Sequence, residues 1–319
     1  MASLTRRLDY IDFMKGIGII IVVWGHTNPL FSKWIYAFHM PLFAFLSGVF
    51  AYKITTLKET IEKKSKSLLI PFFFFSVTWW VITLLILKLN DSHSLPSASN
   101  KIFYILGGSG QNSIRELSNV TVWFLPYLFT TFIIHWLNLK GPNPKFGAVS
   151  LGVCGVLVGY TGIALPYSFD TALTLYPFFY IGSLYIKNIK HEKFNAAYIP
   201  LSVIVFLIST YFNDNVDTAT NLIGNPLLFY VSAFSAISCI LMASIRIGSM
   251  RLINLMGEKS LDILIFHMIF IKLIVYFDIT DSSLIIFLGS IIFSLLVGMA
   301  IKKFVPQLYG EFRAPSFGT

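Results

Sequence analysis

The chain has 319 residues, of which 55% are hydrophobic and only 12% charged, and it carries 31 Phe, 15 Tyr and 6 Trp. That composition excludes a soluble domain with a single core and predicts an all-α integral membrane protein. The formal net charge of +9 does not point to nucleic acid, because the basic residues are spread over many loops rather than gathered on one face.

Apolar runs long enough to cross about 30 Å of hydrocarbon as helices recur along the whole sequence. Ten transmembrane helices are expected, near residues 10–28, 33–51, 68–89, 120–139, 146–164, 171–187, 196–212, 225–246, 261–277 and 283–304. The interval Asn90 to Asn119 is the one long polar stretch, and its Pro, Ser and Gly read as a loop with a short amphipathic piece. No comparable gap opens in the second half, so residues 1–319 are expected to form one transmembrane domain. Arg6 and Arg7 are followed by Asp9, Asp12 and Lys15 with no small-residue cleavage site, so the first segment is expected to stay as a helix.

Orientation follows from the basic residues. With the N-terminus in the cytoplasm, the inner segments hold eighteen of the 24 Lys and Arg: Arg6, Arg7, Lys53, Lys58, Lys63, Lys64, Lys66, Lys140, Lys145, Lys187, Lys190, Lys193, Arg246, Arg251, Lys259, Lys302, Lys303 and Arg313. The outer loops hold Lys33, Lys101 and Arg115. This asymmetry predicts an even number of spans with both termini cytoplasmic. Cys154 and Cys239 fall inside expected helices and read as packing residues, with no disulfide or metal spacing.

The first segment contains KGIGIIIVVWGHT, from Lys15 to Thr27. His26 lies eleven residues after Lys15, which in an α-helix is roughly 16 Å along the axis and only about 20° around it. Both side chains therefore share one face, and Asp12, three residues before Lys15, is within ion-pair reach on that face. Ionisable groups inside a bundle are costly and mark sites, although a snorkelling lysine and an interfacial histidine are the simpler reading of such a pair. In the second segment His39 is expected at a depth close to that of His26, so two imidazoles on neighbouring helices share one polar cavity. The spacings fit zinc poorly. Proton transfer suits an imidazole that titrates near neutral pH. Trp123 is placed to stack on a ligand ring or to anchor a helix end. His93, His135 and His191 read as loop or inner-boundary residues, and the outer aspartates, Asp170, Asp214, Asp217, Asp278 and Asp281, read as topology.

The string DFMKGIGIIIVVWGH resembles the first-helix signature of the membrane acyltransferase-3 family, an acidic residue, a basic residue three on and a histidine eleven further, here Asp12, Lys15 and His26. FHMPLFAFLSG, with His39, Ser47 and Gly48, is similar to the branch that contains fucose 4-O-acetylase-like sugar acetylases. KKSKSLLIPFFFF, VWFLPYLF, YPFFYIG and GEKSLDILIFH follow in the family's order. The resemblance implies a ten-helix enzyme of the bacterial cytoplasmic membrane. It would transfer an acetyl or similar acyl group from acetyl-CoA, or another acyl-CoA, to a hydroxyl of a surface polysaccharide or its lipid-linked precursor. The implied partners are the acyl-CoA donor, the glycan acceptor and membrane lipids. The family's first-helix histidine is catalytic, which falls on His26. Lys15 would steady the pantetheine arm or a phosphate, or hold Asp12 in an ion pair that shapes the donor's path. The family's paired arginines, three apart at the start of the third helix, correspond to Lys63 and Lys66, with Lys64 beside them. Lysine keeps the charge that meets the nucleotide phosphates and loses the bidentate fork. Ser260 and His267 also match the family's pattern, with His267 at the site as the weaker implication. The competing reading is a transporter or flippase for a lipid-linked sugar, against which stand the lack of an internal repeat and of paired broken helices.

Overall fold

Local chemistry sets where each helix of the computed structural model begins and ends, over the described residues 9–51, 56–89, 106–109, 120–188 and 197–309. The basic residues Arg6, Arg7, Lys53, Lys101, Arg115, Lys190, Lys193 and Arg313, the histidines His93 and His191, and most of the expected 90–119 loop lie outside them.

Helix α1 spans Asp9–Thr27 and is followed by a 3-10 turn, Pro29–Phe31. The second expected segment is two short helices rather than one, α2 at Ser32–Tyr36 and α3 at His39–Val49. Pro41 is the physical reason. In a continuous helix its ring would collide with the carbonyl of Ala37, and it has no N–H to give. The chain therefore turns at Ala37 and Phe38 and restarts with Pro41 in the first turn of α3, where no intrahelical donor is needed.

Helix α4, Leu57–Lys64, starts on a Thr56 cap whose hydroxyl accepts from the Glu59 N–H at 3.2 Å. A π-turn at Ser65–Leu69 joins it to α5, Ile70–Leu89, so that helix runs unbroken from Leu57 and begins well before the expected residue 68. The wider π-turn lets Pro71 sit in the helix without striking the carbonyl of Ser67. A 3-10 turn, Val120–Trp123, leads into α6, Phe124–Lys140. Helix α7, Pro144–Thr161, opens on an Asn143 cap with proline in its first turn and closes on Gly162 in the left-handed region, φ 67°. Then come α8 (Phe169–Asn188), α9 (Tyr198–Phe212), α10 (Pro226–Ile247), α11 (Arg251–Glu258), α12 (Ser260–Tyr276) and α13 (Ser283–Phe304). Among the described residues there is no strand.

Five stretches of described helix are long and apolar enough to cross a membrane: Leu57–Lys88, Thr121–Lys140, Pro144–Thr161, Pro226–Ile247 and Ser283–Phe304. Helix α1 has 19 residues, but Asp12, Lys15 and His26 interrupt its apolar run. The outer helices show their apolar side chains to the surroundings: Val149, Val153 and Leu157 on α7; Ile204 and Ile208 on α9; Ile285, Leu288 and Ile292 on α13. In water such faces would aggregate; in lipid they need no cover.

Lipid tails are as apolar as leucine, so burial alone gives these helices little reason to associate, and close backbone approach does much of the work. Helices α3 and α8 meet at Gly48 and Gly182, where an added Cβ would overlap the carbonyls of Phe179 and Phe45 respectively. Helices α1 and α11 meet in the same way, at Gly16 against Ile253 and Gly257 against Asp12. Phe178 and Phe179 of α8 are completely enclosed, as are Leu42 and Ala44 of α3. Among the residues expected to be peripheral, His135 is instead buried, with its Nδ1 3.0 Å from the Tyr176 hydroxyl. Cys154, expected to pack inside, lies exposed on α7.

Candidate active site

Helix α1 lines two neighbouring cavities with one stripe of side chains. Lys15 and Ile19 face a cavity of about 160 Å³, and Val22 and His26 face a second of about 170 Å³. The spacing of these four residues is the helical repeat that the sequence implied for Lys15 and His26. Met40 of α3 and Leu264 of α12 border both cavities, so these two side chains stand at the boundary between them.

The first cavity is almost wholly apolar. Its polar groups are Lys15, Ser47 and Ser260, among Phe43, Phe50, Leu68, Phe124 and other hydrophobic residues. The expected Asp12–Lys15 pair is formed, at 3.4 Å, and the Lys15 ammonium also sits 4.2 Å from the centre of the Phe50 ring.

The second cavity gathers imidazoles. Gly25 allows α2 to come close to α1, since a Cβ there would lie 2.9 Å from Cγ2 of Ile35. The next residue, Tyr36, thereby brings its hydroxyl to 3.2 Å from Nδ1 of His26. The Tyr36 ring also lies 5.1 Å from that of His39, so the phenol stands between the two histidines. Both histidines line the cavity, as the sequence led one to expect, but the break at Ala37 and Phe38 and the tyrosine linking them were not foreseen. From the far end of the chain, α12 brings His267 to 5.3 Å from the His26 ring.

The tautomers of two of these rings are set by their neighbours. Nδ1 of His39 donates to the Ile35 carbonyl at 2.9 Å, and Nδ1 of His267 donates to the Ile263 carbonyl at 2.6 Å. A carbonyl accepts only, so Nδ1 bears the proton in both, and in the neutral form each Nε2 keeps a lone pair. His267 is fully buried, and its Nε2 has no hydrogen-bond partner among the described residues. Such an atom inside a polar cluster is costly unless something occupies the space beside it. His26 differs, because Tyr36 is both donor and acceptor and lets its tautomer change as a proton moves.

Trp123, at the start of α6, is buried and lines the imidazole cavity. It is held there by the 3-10 turn that precedes α6, where the Thr121 hydroxyl donates to the Leu264 carbonyl at 2.6 Å. The three lysines of the basic stretch are separated. Lys63 and Lys66 are exposed and pair with Glu59 and Glu62 one turn back. Lys64 turns inward, 3.6 Å from the centre of the Phe132 ring, on the face that one turn later carries Leu68 into the Lys15 cavity. Among the described residues no three His, Cys, Asp or Glu side chains converge to hold a metal ion.

Tyr36 and Asp217 also line the imidazole cavity, and the sequence alone did not single them out for the site. Aspartates recur in the outer segments without pattern, and nothing local connects residue 217 to residue 26.

Comparison with known proteins places the chain in a family. The profile of the acyltransferase domain family matches residues 8–303. The nodulation protein NolL of Sinorhizobium fredii (strain NBRC 101917 / NGR234) is 28% identical over 214 residues, which cover 60% of this chain and 52% of that protein. The chain thus spans about half the length of this curated relative. No solved structure matches it. With a match that takes in both cavities and nearly every described helix, the chain belongs to the acyltransferase domain family, as a multi-pass membrane protein.

Proposed function

We propose that this protein is a membrane O-acyltransferase that carries an acetyl or similar acyl group from cytoplasmic acyl-CoA to a sugar hydroxyl. The acceptor would be a bacterial surface polysaccharide or its lipid-linked precursor, in the manner of the fucose 4-O-acetylase-like branch. The observation that carries the reading is the pair of cavities along one face of α1, one apolar beneath Lys15 and one polar around His26. An acyl thioester on a long flexible arm suits the first, and a hydroxyl that must lose its proton suits the second.

In this scheme all ten apolar segments, including the paired α2 and α3, lie in the bacterial cytoplasmic membrane with both termini inside. Lys140, Lys145, Arg246, Arg251, Lys302 and Lys303 then share the inner side. Acyl-CoA enters from that side, with Lys64 and Lys15 near its phosphates and arm. His26 accepts the proton of the sugar hydroxyl as its oxygen attacks the thioester carbonyl. The tetrahedral intermediate then expels the coenzyme A thiolate, which takes the proton back from His26, and the acyl ester is left on the sugar. A positioned base of this kind contributes about 10²- to 10⁴-fold. Tyr36 holds the imidazole through Nδ1, and His39 and His267 keep lone pairs beside it.

The direct experiment supplies the purified protein with labelled acetyl-CoA and a panel of free and lipid-linked glycans. Label should appear on the glycan as a base-labile ester. A protein that moves lipid-linked sugar across vesicles and transfers no label would instead be a transporter.

A further inference from the structure

The two cavities along α1 meet at a pair of apolar side chains, Met40 and Leu264, which line both. The boundary is thin. Ile19 faces the first cavity and Val22 the second, and three residues of helix span only about 4.5 Å. His26 lies four residues, roughly 6 Å, beyond Val22. Leu264 is the fixed side of this boundary: it is buried in α12, and its carbonyl is tied to the Thr121 hydroxyl at 2.6 Å. Met40 comes from the first turn of α3, between His39, whose ring is held on the Ile35 carbonyl at 2.9 Å, and Pro41. Its backbone is therefore fixed, while its unbranched side chain keeps three rotatable bonds.

Resting on the acyltransferase reading, we propose that Met40 and Leu264 are specificity-determining residues that set the length of the acyl group transferred. A donor whose arm fills the Lys15 cavity reaches a hydroxyl held at His26 only if its thioester crosses this boundary, with the sulfur at Met40 and Leu264 and the carbonyl beyond them. The chamber past the boundary is about 170 Å³, lined by imidazoles, a phenol and a carboxylate, and the acceptor hydroxyl takes part of it. Acyl carbons beyond the second then have two places to go. In the chamber they compete with the acceptor and strip water from polar groups; at the boundary they press on Met40 and Leu264, both more than nine-tenths buried. An acetyl group meets neither obstacle. Truncating either side chain opens apolar space beside the thioester, where a longer chain gains by burial.

The test is Met40→Ala, with Leu264→Val as a second variant that removes a single methylene and disturbs the fold less. Transfer from acetyl-CoA and from butyryl-CoA is compared as a ratio of kcat/KM, which does not depend on how much of the protein is active. The wild type should favour acetyl by at least about ten-fold, the lower limit for one misfit methylene. Met40→Ala should raise the butyryl-to-acetyl ratio at least about ten-fold, from two methylenes at about four-fold each, and Leu264→Val should raise it about four-fold. Leu128→Ala, at a residue that lines the first cavity and not the second, should affect both donors alike. Calorimetry with the unreactive thioethers S-ethyl-CoA and S-butyl-CoA, on the detergent-solubilised protein, reads the same preference without catalysis. A wild type that uses butyryl-CoA as readily as acetyl-CoA, a ratio unmoved by Met40→Ala, or one moved as much by Leu128→Ala would each overturn the proposal and leave the acyltransferase reading standing. A gain of about ten-fold in S-butyl-CoA over S-ethyl-CoA binding on Met40→Ala, in a protein with no transferase activity, would uphold the constriction and sink that reading. Absence of both S-alkyl-CoA binding and transfer would sink the two together.

Discussion

Removing one hydroxyl, in Tyr36→Phe, tests whether the histidine it touches is the base. The Tyr36 hydroxyl sits 3.2 Å from Nδ1 of His26, at the long end of the hydrogen-bond range. A bond of that geometry is worth the lower part of the usual net value, about 0.5 to 1 kcal/mol, so losing it should slow acyl transfer roughly two- to five-fold. His26→Ala removes the base itself and should cost about 10²-fold or more. His26→Gln keeps a hydrogen-bonding group that takes no proton and should do little better. The decisive variant is the double one. If Tyr36 acts by holding His26, then Tyr36→Phe should have almost no further effect once His26 is alanine, because residues in direct contact are not additive. The assay is transfer of labelled acetyl groups to glycan at matched protein abundance in membranes. Near-normal transfer by His26→Ala, or a Tyr36→Phe effect that persists undiminished in its absence, would refute the reasoning.

The separated lysines give a second expectation. Lys64→Gln should raise the KM for acetyl-CoA about five-fold, the equivalent of roughly 1 kcal/mol for one charge contact, whereas Lys63→Gln and Lys66→Gln, exposed and already facing glutamates, should each change it less than about two-fold. Equal effects from all three in steady-state kinetics would place the phosphates on the outer face of α4 instead. At the crossing of α3 and α8, Gly48→Val would drive a branched side chain into the Phe179 carbonyl and should lower stability by about 1 to 3 kcal/mol or more, read as a lower thermal midpoint in detergent. An unchanged midpoint would mean that the two helices do not rely on this contact.

Features confined to one helix were legible in the sequence. The pairing of Asp12 with Lys15, and the shared face of Lys15 and His26, need only the period of an α-helix, which the apolar run from Gly16 to Trp24 guarantees in lipid. The approximate position of every apolar segment was legible for the same reason. Pro41 was visible too, but proline is tolerated in membrane helices, and whether it kinks or breaks one depends on what the freed carbonyls find nearby. Here the break puts Tyr36 against His26 and turns the expected second helix into two.

What joins His26 to His267 and Asp217 lies outside local periodicity. Those residues sit on elements far apart in the chain and meet only through packing, in a bundle where glycines at 16, 25, 48, 182 and 257 let α1 approach α11 and α2, and α3 approach α8, backbone to backbone or nearly so. In lipid every apolar face is equally at home, so hydrophobic pattern marks which residues belong in helices and says little about which faces meet. Shape complementarity decides that, and it exists only once the helices are packed. Hence the sequence determined the stripe on α1 that lines both cavities, while the tertiary structure alone decided which phenol, imidazoles and carboxylate surround it.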